Sequence, residues 1–234
     1  MGRGAPAGLE QNEAVAGQRL SPEDRERGNA RQRETYRAEA PRYDRSMGFG
    51  ERWCFGSEHR GWACSQSSGA TLEVAIGTGL NLPEYPAEVS LTGIDLSPDM
   101  LALARQRAVD LGRSVELRQG DAQELPFADA TFDTVVCTYA LCSVPDEVRT
   151  IDEMVRVLRP GGRLILVDHI RSSVPPILWI QRLIEWLSPK MVERELTRRP
   201  LPQVLAAGME LVRSDRSRLG MVERLVARKG VSGG

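Results

Sequence analysis

The stretch that most constrains the fold is residues 71–81, TLEVAIGTGLN, where a short apolar run ends abruptly at two glycines. Val74 and Ile76 are β-branched, which favours a buried strand. Gly77 and Gly79 then predict a tight turn in which backbone N–H groups can approach a ligand, because no Cβ holds the ligand off. We therefore expect the functional site at this turn, on the carboxyl edge of a parallel sheet.

Length and composition exclude several classes of protein. The chain has 234 residues, enough for one domain with a full hydrophobic core. Its 31 Lys and Arg against 32 Asp and Glu leave a net charge of −1, which gives no global attraction to nucleic acid. No apolar run approaches the ~20 residues that cross a bilayer. We therefore expect a cytoplasmic monomer or homodimer with no nucleic-acid partner and no stable membrane insertion.

The cysteine pattern argues against disulfides and metal binding. None of the four cysteines stands in a C-x-x-C pair or in a cluster with histidine in the sequence. All four fall in or near segments that predict core elements. We therefore expect reduced thiols, no disulfide and no metal site. The four residues are Cys54, Cys64, Cys137 and Cys142.

The segment before the glycine turn divides into a tail and a helical part. Residues 1–22 lack a sustained apolar stripe, which predicts a flexible tail. Ser21 followed by Pro22 is typical of a helix start, and helices are predicted over residues 23–68. Such charged helices usually only solvate one face of a domain; the alternative is a lid over a ligand. The candidate lid residues are Tyr36, Tyr43 and Asp44, with Trp53, Phe55 and Trp62 packing against the sheet.

Further strands follow the glycine turn, and acids stand where two of them end. The second strand ends at Asp95, where a carboxylate can accept two hydrogen bonds from a ribose diol. The alternative is that Asp95 only caps the next helix, although Ser97 is already placed to do so. The third strand ends near Asp121, whose carboxylate can accept from an adenine amine while Ala122 offers its N–H. The second to fifth strands are predicted over residues 91–94, 114–118, 132–137 and 163–167.

The remaining segments predict three helices and a hairpin. Residues 148–158 have helical apolar spacing, and R-P-G-G at 159–162 predicts a turn that ends this helix. A strongly apolar helix is predicted over 175–187, and such a helix usually covers the core or a substrate pocket. The alternative is binding to a membrane surface, although Lys and Arg are not concentrated on its polar face as surface helices usually require. The last elements are a helix near 201–207 and antiparallel strands over 210–214 and 221–228.

This order of elements predicts an α/β fold with a doubly wound sheet, and two cofactor classes fit such a sheet. A dinucleotide site needs G-x-G-x-x-G, but the third glycine position is Leu82. Pro83 and Pro86 follow, so the first helix is short or broken. A pyrophosphate on a long helix N-terminus is therefore poorly supported, whereas a single nucleoside with an amino-acid tail is not excluded.

Five motifs follow one another between residues 71 and 170. They are E-V-A-I-G-T-G at 73–79, G-I-D-L-S-P-D-M at 93–100, G-D-A-Q-E-L-P-F at 120–127, F-D-T-V-V at 132–136 and V-L-R-P-G-G at 157–162. In this order the chain resembles class I S-adenosylmethionine-dependent methyltransferases. It is similar to the branch with ubiquinone/menaquinone C-methyltransferases and phosphatidylethanolamine N-methyltransferases, and A-L-C-S-V at 140–144 also resembles related thiol methyltransferases. One departure is Ala75, at a position where the family often has glycine.

The resemblance implies one methyltransferase domain over residues 23–230, with a Rossmann-like seven-stranded sheet. The implied strand order is 3-2-1-4-5-7-6, with strand seven antiparallel and helices on both faces. Residues 23–68 would form the lid and 69–170 the cofactor-binding core. Residues 171–200 would form a substrate-covering helical segment, and 201–230 the C-terminal helix and hairpin.

The resemblance also implies S-adenosylmethionine as cofactor and S-adenosylhomocysteine as product. The glycine turn would meet the methionine part, Asp95 the ribose hydroxyls and residues 138–142 the sulfonium, while Asp121 and Ala122 would address the adenine. The implied cofactor-binding positions are Tyr43, Glu73, Ala75, Gly77, Thr78, Gly79, Asn81, Asp95, Leu96, Met100, Asp121, Ala122, Thr138, Tyr139 and Cys142.

The implied chemistry is an in-line displacement at the cofactor's methyl group. Because the sulfonium is already a strong electrophile, the protein chiefly supplies alignment and a dry pocket. A general base is needed only if the acceptor arrives protonated. His169, at the end of the fifth strand, is the first candidate, and Tyr43 and Tyr139 are secondary ones. The alternative is that His169 only shapes the pocket.

Three hypotheses for the function stay open. The leading one is transfer to a small apolar or aromatic metabolite, enclosed by the lid and by the helix that carries Trp179 and Trp186. The second is a quinone or phospholipid headgroup acceptor at a membrane surface. The third is an S-adenosylmethionine-binding protein without catalysis. Nothing in the sequence decides whether the acceptor atom is O, N, S or C.

Overall fold

Seven helices surround the sheet in the described part of the chain. The computed structural model describes residues 19–51, 56, 58–187 and 198–231. Trp53, Cys54 and Phe55 lie outside the described residues. None of the described helices has the length and apolar content that crossing a membrane requires. The helices are α1 Pro22–Glu39, α2 Tyr43–Gly50, α3 Glu58–Cys64, α4 Pro98–Asp110, α5 Glu147–Val157, α6 Pro175–Leu187 and α7 Leu201–Ala206.

The strands form one sheet in the order β3-β2-β1-β4-β5-β7-β6. Neighbouring pairs among β1 to β5 are parallel, and β7 is antiparallel to both β5 and β6. The predicted strand order and the antiparallel seventh strand are therefore confirmed. The strands are β1 Ala70–Val74, β2 Ser90–Asp95, β3 Glu116–Gln119, β4 Phe132–Thr138, β5 Leu158–His169, β6 Met209–Ser217 and β7 Val222–Lys229.

The sheet buries both of its faces, because successive side chains of a strand point to opposite sides. Along β5, Leu164 packs into the cluster that contains Met154 of α5. Ile165, the next residue, packs into the cluster on the other face, which contains Leu101 of α4. The carboxyl edge of the parallel strands is thereby held between two apolar layers, which keeps the strand ends in fixed positions.

The helix starts agree with the sequence. Ser97 Oγ accepts a hydrogen bond from the Met100 N–H at 3.3 Å, and Pro98 is the first residue of α4. Ser21 caps α1 in the same way. After the glycine turn the chain makes only a short 3₁₀ turn at Leu82–Glu84, in agreement with the short first helix predicted from its prolines.

The start of β5 differs from the prediction. We expected a glycine turn over 159–162 between α5 and the fifth strand, but β5 begins at Leu158 and this segment lies within it as an irregularity in the pairing with β4. Gly161 has φ +78°, and a Cβ on Gly162 would lie 2.9 Å from the Arg159 carbonyl oxygen. The glycines therefore permit a bulge in the strand rather than a separate turn.

Lys229 explains why α5 ends without a glycine cap. Its Nζ donates to the carbonyl oxygens of Val155 and Leu158, both at 2.7 Å, and to that of Arg156 at 3.4 Å. A cation at a helix C-terminus satisfies carbonyls that lack an intrahelical partner and is favoured by the helix dipole. The end of α5 is thus capped by the last residue of β7, which is distant in sequence.

Replacing Lys229 by Met should lower the free energy of unfolding by about 1–2 kcal/mol, because these carbonyl oxygens lose a charged donor. Urea denaturation of the purified variant measures the change. Arg228→Met is the control, since Arg228 is the exposed neighbour and donates at 3.2 Å to Gly161 only. Equal losses in the two variants would contradict the capping role of Lys229.

Candidate active site

A cavity of about 670 Å³, counted to its open mouth, lies at the carboxyl ends of β1, β2 and β4. The predicted site residues on its wall are Tyr43, Ala75, Gly77, Asp95, Leu96, Met100, Asp121, Ala122, Thr138 and Tyr139. Those outside the wall are Glu73, Thr78, Gly79, Asn81, Cys142 and His169.

The turn after β1 is left-handed at three positions. Ala75, Gly77 and Gly79 have φ values of +56°, +59° and +78°. A Cβ on Gly79 would lie 2.8 Å from the Leu82 side chain, so this glycine allows the turn to pack. A Cβ on Gly77 would meet nothing within 4 Å, and Gly77 faces the cavity. Ala75 adopts the left-handed conformation at a cost of roughly 1–2 kcal/mol, which accounts for the glycine expected at its position.

Asp95 holds the turn in place. Its Oδ2 accepts the Gly77 N–H at 2.8 Å, and its Oδ1 accepts the Ser97 N–H at 2.8 Å. Burial raises the pKa of this carboxyl to about 6, so it is mostly ionised near neutral pH. Asp95 thus fixes the entry to α4 as well as facing the cavity. Asp95 can both cap the start of α4 and accept hydrogen bonds from ribose hydroxyls, because each carboxylate oxygen has a second lone pair.

Helix α1 crosses the cavity and is tied to Asp121. Asn29, which is only 3% exposed, donates to Asp121 Oδ2 at 2.7 Å. Gln123 donates from its N–H to Asp121 Oδ1 at 2.8 Å and from its Nε2 to Asn29 Oδ1 at 2.9 Å. The carboxylate proposed for the adenine is therefore already oriented by two amide side chains.

Two residues of α1 that line the cavity are absent from the predicted site. Tyr36 was predicted only as a lid residue, and Gln32 was not predicted. Gln32 and Tyr36 line the cavity; the Gln32 amide donates to the Ser143 carbonyl, and the Tyr36 hydroxyl donates to Ser143 Oγ at 3.0 Å. With Asn29 they follow the i, i+3, i+7 spacing of one helix face. That uncharged polar stripe among arginines was the signal that could have found Gln32.

Helix α2 is joined to the glycine turn. Thr78 Oγ1 donates to Asp44 Oδ1 at 2.6 Å, and Asp44 also pairs with Arg107 of α4. The Tyr36 and Tyr43 rings meet edge to face with centroids 6.2 Å apart, and both rings line the cavity. The lid interpretation of the N-terminal helices therefore agrees with their position, with Asp44 as a tether rather than a wall residue.

A buried polar network lies beneath the cavity floor. Asn81 Nδ2 donates to Glu73 Oε1 at 2.8 Å and to Thr138 Oγ1 at 3.0 Å. Arg60 of α3 donates to Asn81 Oδ1 at 2.9 Å and to Thr138 Oγ1 at 3.2 Å, and it pairs with Glu51 at 2.6 Å. Arg60 was not predicted, because no local motif connects it to the ends of β1 and β4.

Tyr139 separates His169 from the cavity. The Tyr139 and His169 rings stack with centroids 4.7 Å apart, and Tyr139 has a left-handed φ of +55°. The buried Asp168 carboxylate accepts the Leu141 N–H at 2.7 Å and the His169 N–H at 2.8 Å. Burial raises the pKa of Asp168 to about 6. This carboxylate therefore holds the loop after β4 against the end of β5.

One of the described cysteines lies near a histidine. Among the described residues, Cys64, Cys137 and Cys142 form no disulfide. Donor atoms of Cys142, Asp168 and His169 lie within 4.8 Å of one another. The sequence shows no cysteine–histidine cluster, but β4 and β5 are neighbours and bring their following residues together.

Helix α6 does not enclose the cavity, although the sequence analysis predicts that it does. Trp179 is 70% exposed and Trp186 is 78% exposed, and neither lines the cavity. The enclosure is provided by α1 and α2 instead.

The fold and the site together define a Rossmann-like nucleoside-binding domain. Residues 72–166 match the family of methyltransferase domains. The chain is 42% identical over 135 residues to a phosphatidylethanolamine N-methyltransferase of Cereibacter sphaeroides, covering 54% of this chain and 66% of that protein. It is 38% identical over 143 residues to a demethylmenaquinone methyltransferase of Deinococcus radiodurans, covering 58% of each. The chain therefore contains a methyltransferase domain, and it is similar to these methyltransferases over somewhat more than half of its length.

Solved structures agree on the fold. A SAM-dependent methyltransferase from Thermotoga maritima superposes with a TM-score of 0.64 at 20% identity, covering 83% of this chain and 99% of that one. At this identity the likeness concerns the fold alone. The chain spans less than two thirds of the length of both the Cereibacter and the Deinococcus relative.

Glu73 gives the site a measurable pH dependence. Burial raises the pKa of Glu73 from 4.5 to about 8. Between these values the folded state keeps a proton that the unfolded state has released, so this group lowers the free energy of unfolding as the pH rises. Glu73→Gln keeps the oxygen that accepts from Asn81 but does not ionise. The variant should therefore gain stability relative to the wild type from about pH 5 to 8, by at most ~1.4 kcal/mol per pH unit.

Urea denaturation at a series of pH values measures this difference for Glu73→Gln. Glu88→Gln, which changes an exposed carboxyl, is the control. Parallel pH curves for the wild type and Glu73→Gln would contradict the raised pKa of Glu73.

Proposed function

We propose that this protein binds S-adenosylmethionine in the cavity and transfers its methyl group to a small-molecule acceptor. The observation that carries the proposal is the single cavity wall made by the Gly77 turn, Asp95 and Asp121, at the ends of three neighbouring strands. The methyltransferase domain supplies the reaction class.

The residues present fit S-adenosylmethionine. The open space beside Gly77 is the room that a ligand tail needs next to backbone. Asp95 and Asp121 offer acceptors where ribose hydroxyls and an adenine amine are donors. Arg60 donates to Thr138 Oγ1 from beneath the cavity floor and pairs there with Glu51, so it supports this part of the wall. The acceptors on the wall therefore match the donors of the nucleoside part of the cofactor.

The protein's part in the reaction is alignment. When bound, S-adenosylmethionine supplies an electrophilic methyl group on a sulfonium. Tyr139 and Ala140 line the cavity after β4, and their backbone is fixed by the Tyr139 N–H bond to the Val167 carbonyl at 2.7 Å. Tyr36 and Tyr43 close the cavity from the lid and limit the entry of water. We assign the acceptor to the space between the lid tyrosines and the loop after β4.

Proton removal is assigned to His169 or Tyr43 for an acceptor that arrives protonated. Tyr43 lines the cavity directly, whereas His169 stacks behind Tyr139. Burial raises the pKa of the Tyr139 hydroxyl, which makes Tyr139 a poorer base. His169 remains the first candidate because an imidazole titrates near neutral pH.

Two other functions compete with this proposal. The relatives named for phosphatidylethanolamine and demethylmenaquinone favour a lipid headgroup or quinone as acceptor. A binding protein without catalysis is the remaining alternative, since a fold does not fix a function. Incubation with methyl-labelled S-adenosylmethionine and a metabolite and lipid extract distinguishes them, because the labelled product identifies the acceptor and its absence leaves only binding.

Asp95→Ala should weaken S-adenosylmethionine binding by about tenfold or more, because a charged acceptor for the ribose hydroxyls is lost and the Gly77 turn is released. Isothermal titration calorimetry measures the affinity. Asp110→Ala, which removes an exposed carboxylate of the same α4 region, should bind like the wild type. Unchanged affinity of Asp95→Ala would remove the ribose assignment.

His169→Gln should lower turnover by roughly 10²–10⁴-fold for a protonated acceptor, while the affinity for S-adenosylmethionine stays within a factor of about two. Labelled methyl transfer across a pH series measures turnover, and calorimetry measures affinity. The base role is supported if the rate of the wild type depends on pH near neutrality and the rate of the variant does not. Unchanged kcat, or a change confined to KM, would show that His169 only supports the Tyr139 ring.

A further inference from the structure

Helix α6 presents an apolar stripe to solvent. Trp179, Leu183 and Trp186 are 70%, 52% and 78% exposed, and Ile180 beside them is 56% exposed. The first three are spaced i, i+4 and i+7, so they share one face of the helix. Soluble proteins rarely expose contiguous large apolar side chains without a partner. The stripe therefore requires an explanation beyond the packing of the domain.

The length of α6 limits what the partner is. Its 13 residues span about 20 Å, which is shorter than the ~30 Å hydrocarbon core of a bilayer. A helix of this length can lie in the plane of a membrane interface with its apolar face submerged. Tryptophan favours that depth because its ring is apolar and its N–H is polar. Two exposed tryptophans on one face of a short helix therefore suit a membrane interface.

Exposed arginines flank α6. Arg171 stands shortly before the helix and Arg182 lies on it, and both are exposed. The turn between β6 and β7 carries the exposed Arg218 and is held near the start of α6, because Ser172 Oγ donates to the Leu219 carbonyl at 2.6 Å. These cations complement an anionic surface.

The stripe is also connected to the cavity. Gln181 fixes α6 to the end of β5, since its Oε1 accepts the Ser172 N–H at 2.8 Å and its Nε2 donates to the Ile170 carbonyl at 3.2 Å. The strand β5 is the neighbour of β4, and the loop after β4 lines the cavity. A surface bound at α6 would therefore lie on the β5 side of the cavity.

We propose that the stripe formed by Trp179, Leu183 and Trp186 docks on the surface of an anionic lipid bilayer, with the flanking arginines contacting lipid phosphates. The docking is peripheral, because α6 is too short to span. This goes beyond the proposed function, since membrane attachment requires no methyl transfer and no particular acceptor. It places the cavity next to acceptors that are dissolved in the membrane.

Vesicle sedimentation tests the docking with the full chain and no cofactor. Phosphatidylcholine vesicles containing phosphatidylglycerol should pellet the wild type, and neutral phosphatidylcholine vesicles should pellet it less. Trp179→Ser/Trp186→Ser and Leu183→Ser should each reduce binding to the anionic vesicles by about tenfold or more. Leu103→Ser is the matched control, since Leu103 is a helical leucine of α4 that is 40% exposed, and this variant should bind like the wild type.

Tryptophan fluorescence gives a second readout that does not depend on sedimentation. Anionic vesicles should shift the emission of the wild type to shorter wavelength, and the double tryptophan variant should lose that shift. Failure of the wild type to bind anionic vesicles would overturn the proposal, as would equal loss in Leu103→Ser. A wild-type dimer in light scattering that becomes monomeric in Leu183→Ser would instead assign the stripe to a second copy of the chain. Far-UV circular dichroism confirms that each variant is folded.

Discussion

The carboxylate of Asp95 is the contact on which the site depends. It joins the Gly77 N–H of the turn after β1 to the Ser97 N–H at the start of α4. Each hydrogen bond to a charged group contributes about 1.5–3 kcal/mol. The left-handed conformation of Ala75 is held against its intrinsic cost by this anchor and by the parallel pairing of β1 with β2.

Sequence alone predicted the frame of the molecule because its signals are local. Glycines and acids at strand ends, proline at helix starts and the apolar spacing of α5 depend on neighbours within a few residues. The misplaced boundary at β5 has a different origin, since Lys229 caps α5 from the far end of the chain. Arg60 and Asn29 were missed for the same reason, because their partners Thr138 and Asp121 are distant in sequence.

Helix α6 shows where apolar patterning stops being informative. A helix with apolar side chains around most of its circumference predicts burial but not the partner that buries it. In this protein Gln181, not an aromatic side chain, fixes α6 to the end of β5, and the tryptophans point away. The sequence predicts correctly that the helix is apolar. Its orientation is fixed by the two polar contacts of Gln181, which the spacing of apolar residues does not predict.

The lid and the core differ in how they are held, which bears on how a ligand enters. Among the residues of α1, only Asn29 is buried, and the helix is fixed by polar contacts from Asn29, Gln32 and Tyr36. Such bonds contribute roughly 0.5–1.5 kcal/mol each, because water can replace them when the helix lifts. Opening the lid therefore costs only a few kcal/mol, whereas disturbing the strand ends exposes the apolar layers on both faces of the sheet. We therefore propose that a ligand enters the cavity from the side of α1 while Asp95 and the glycine turn keep their geometry.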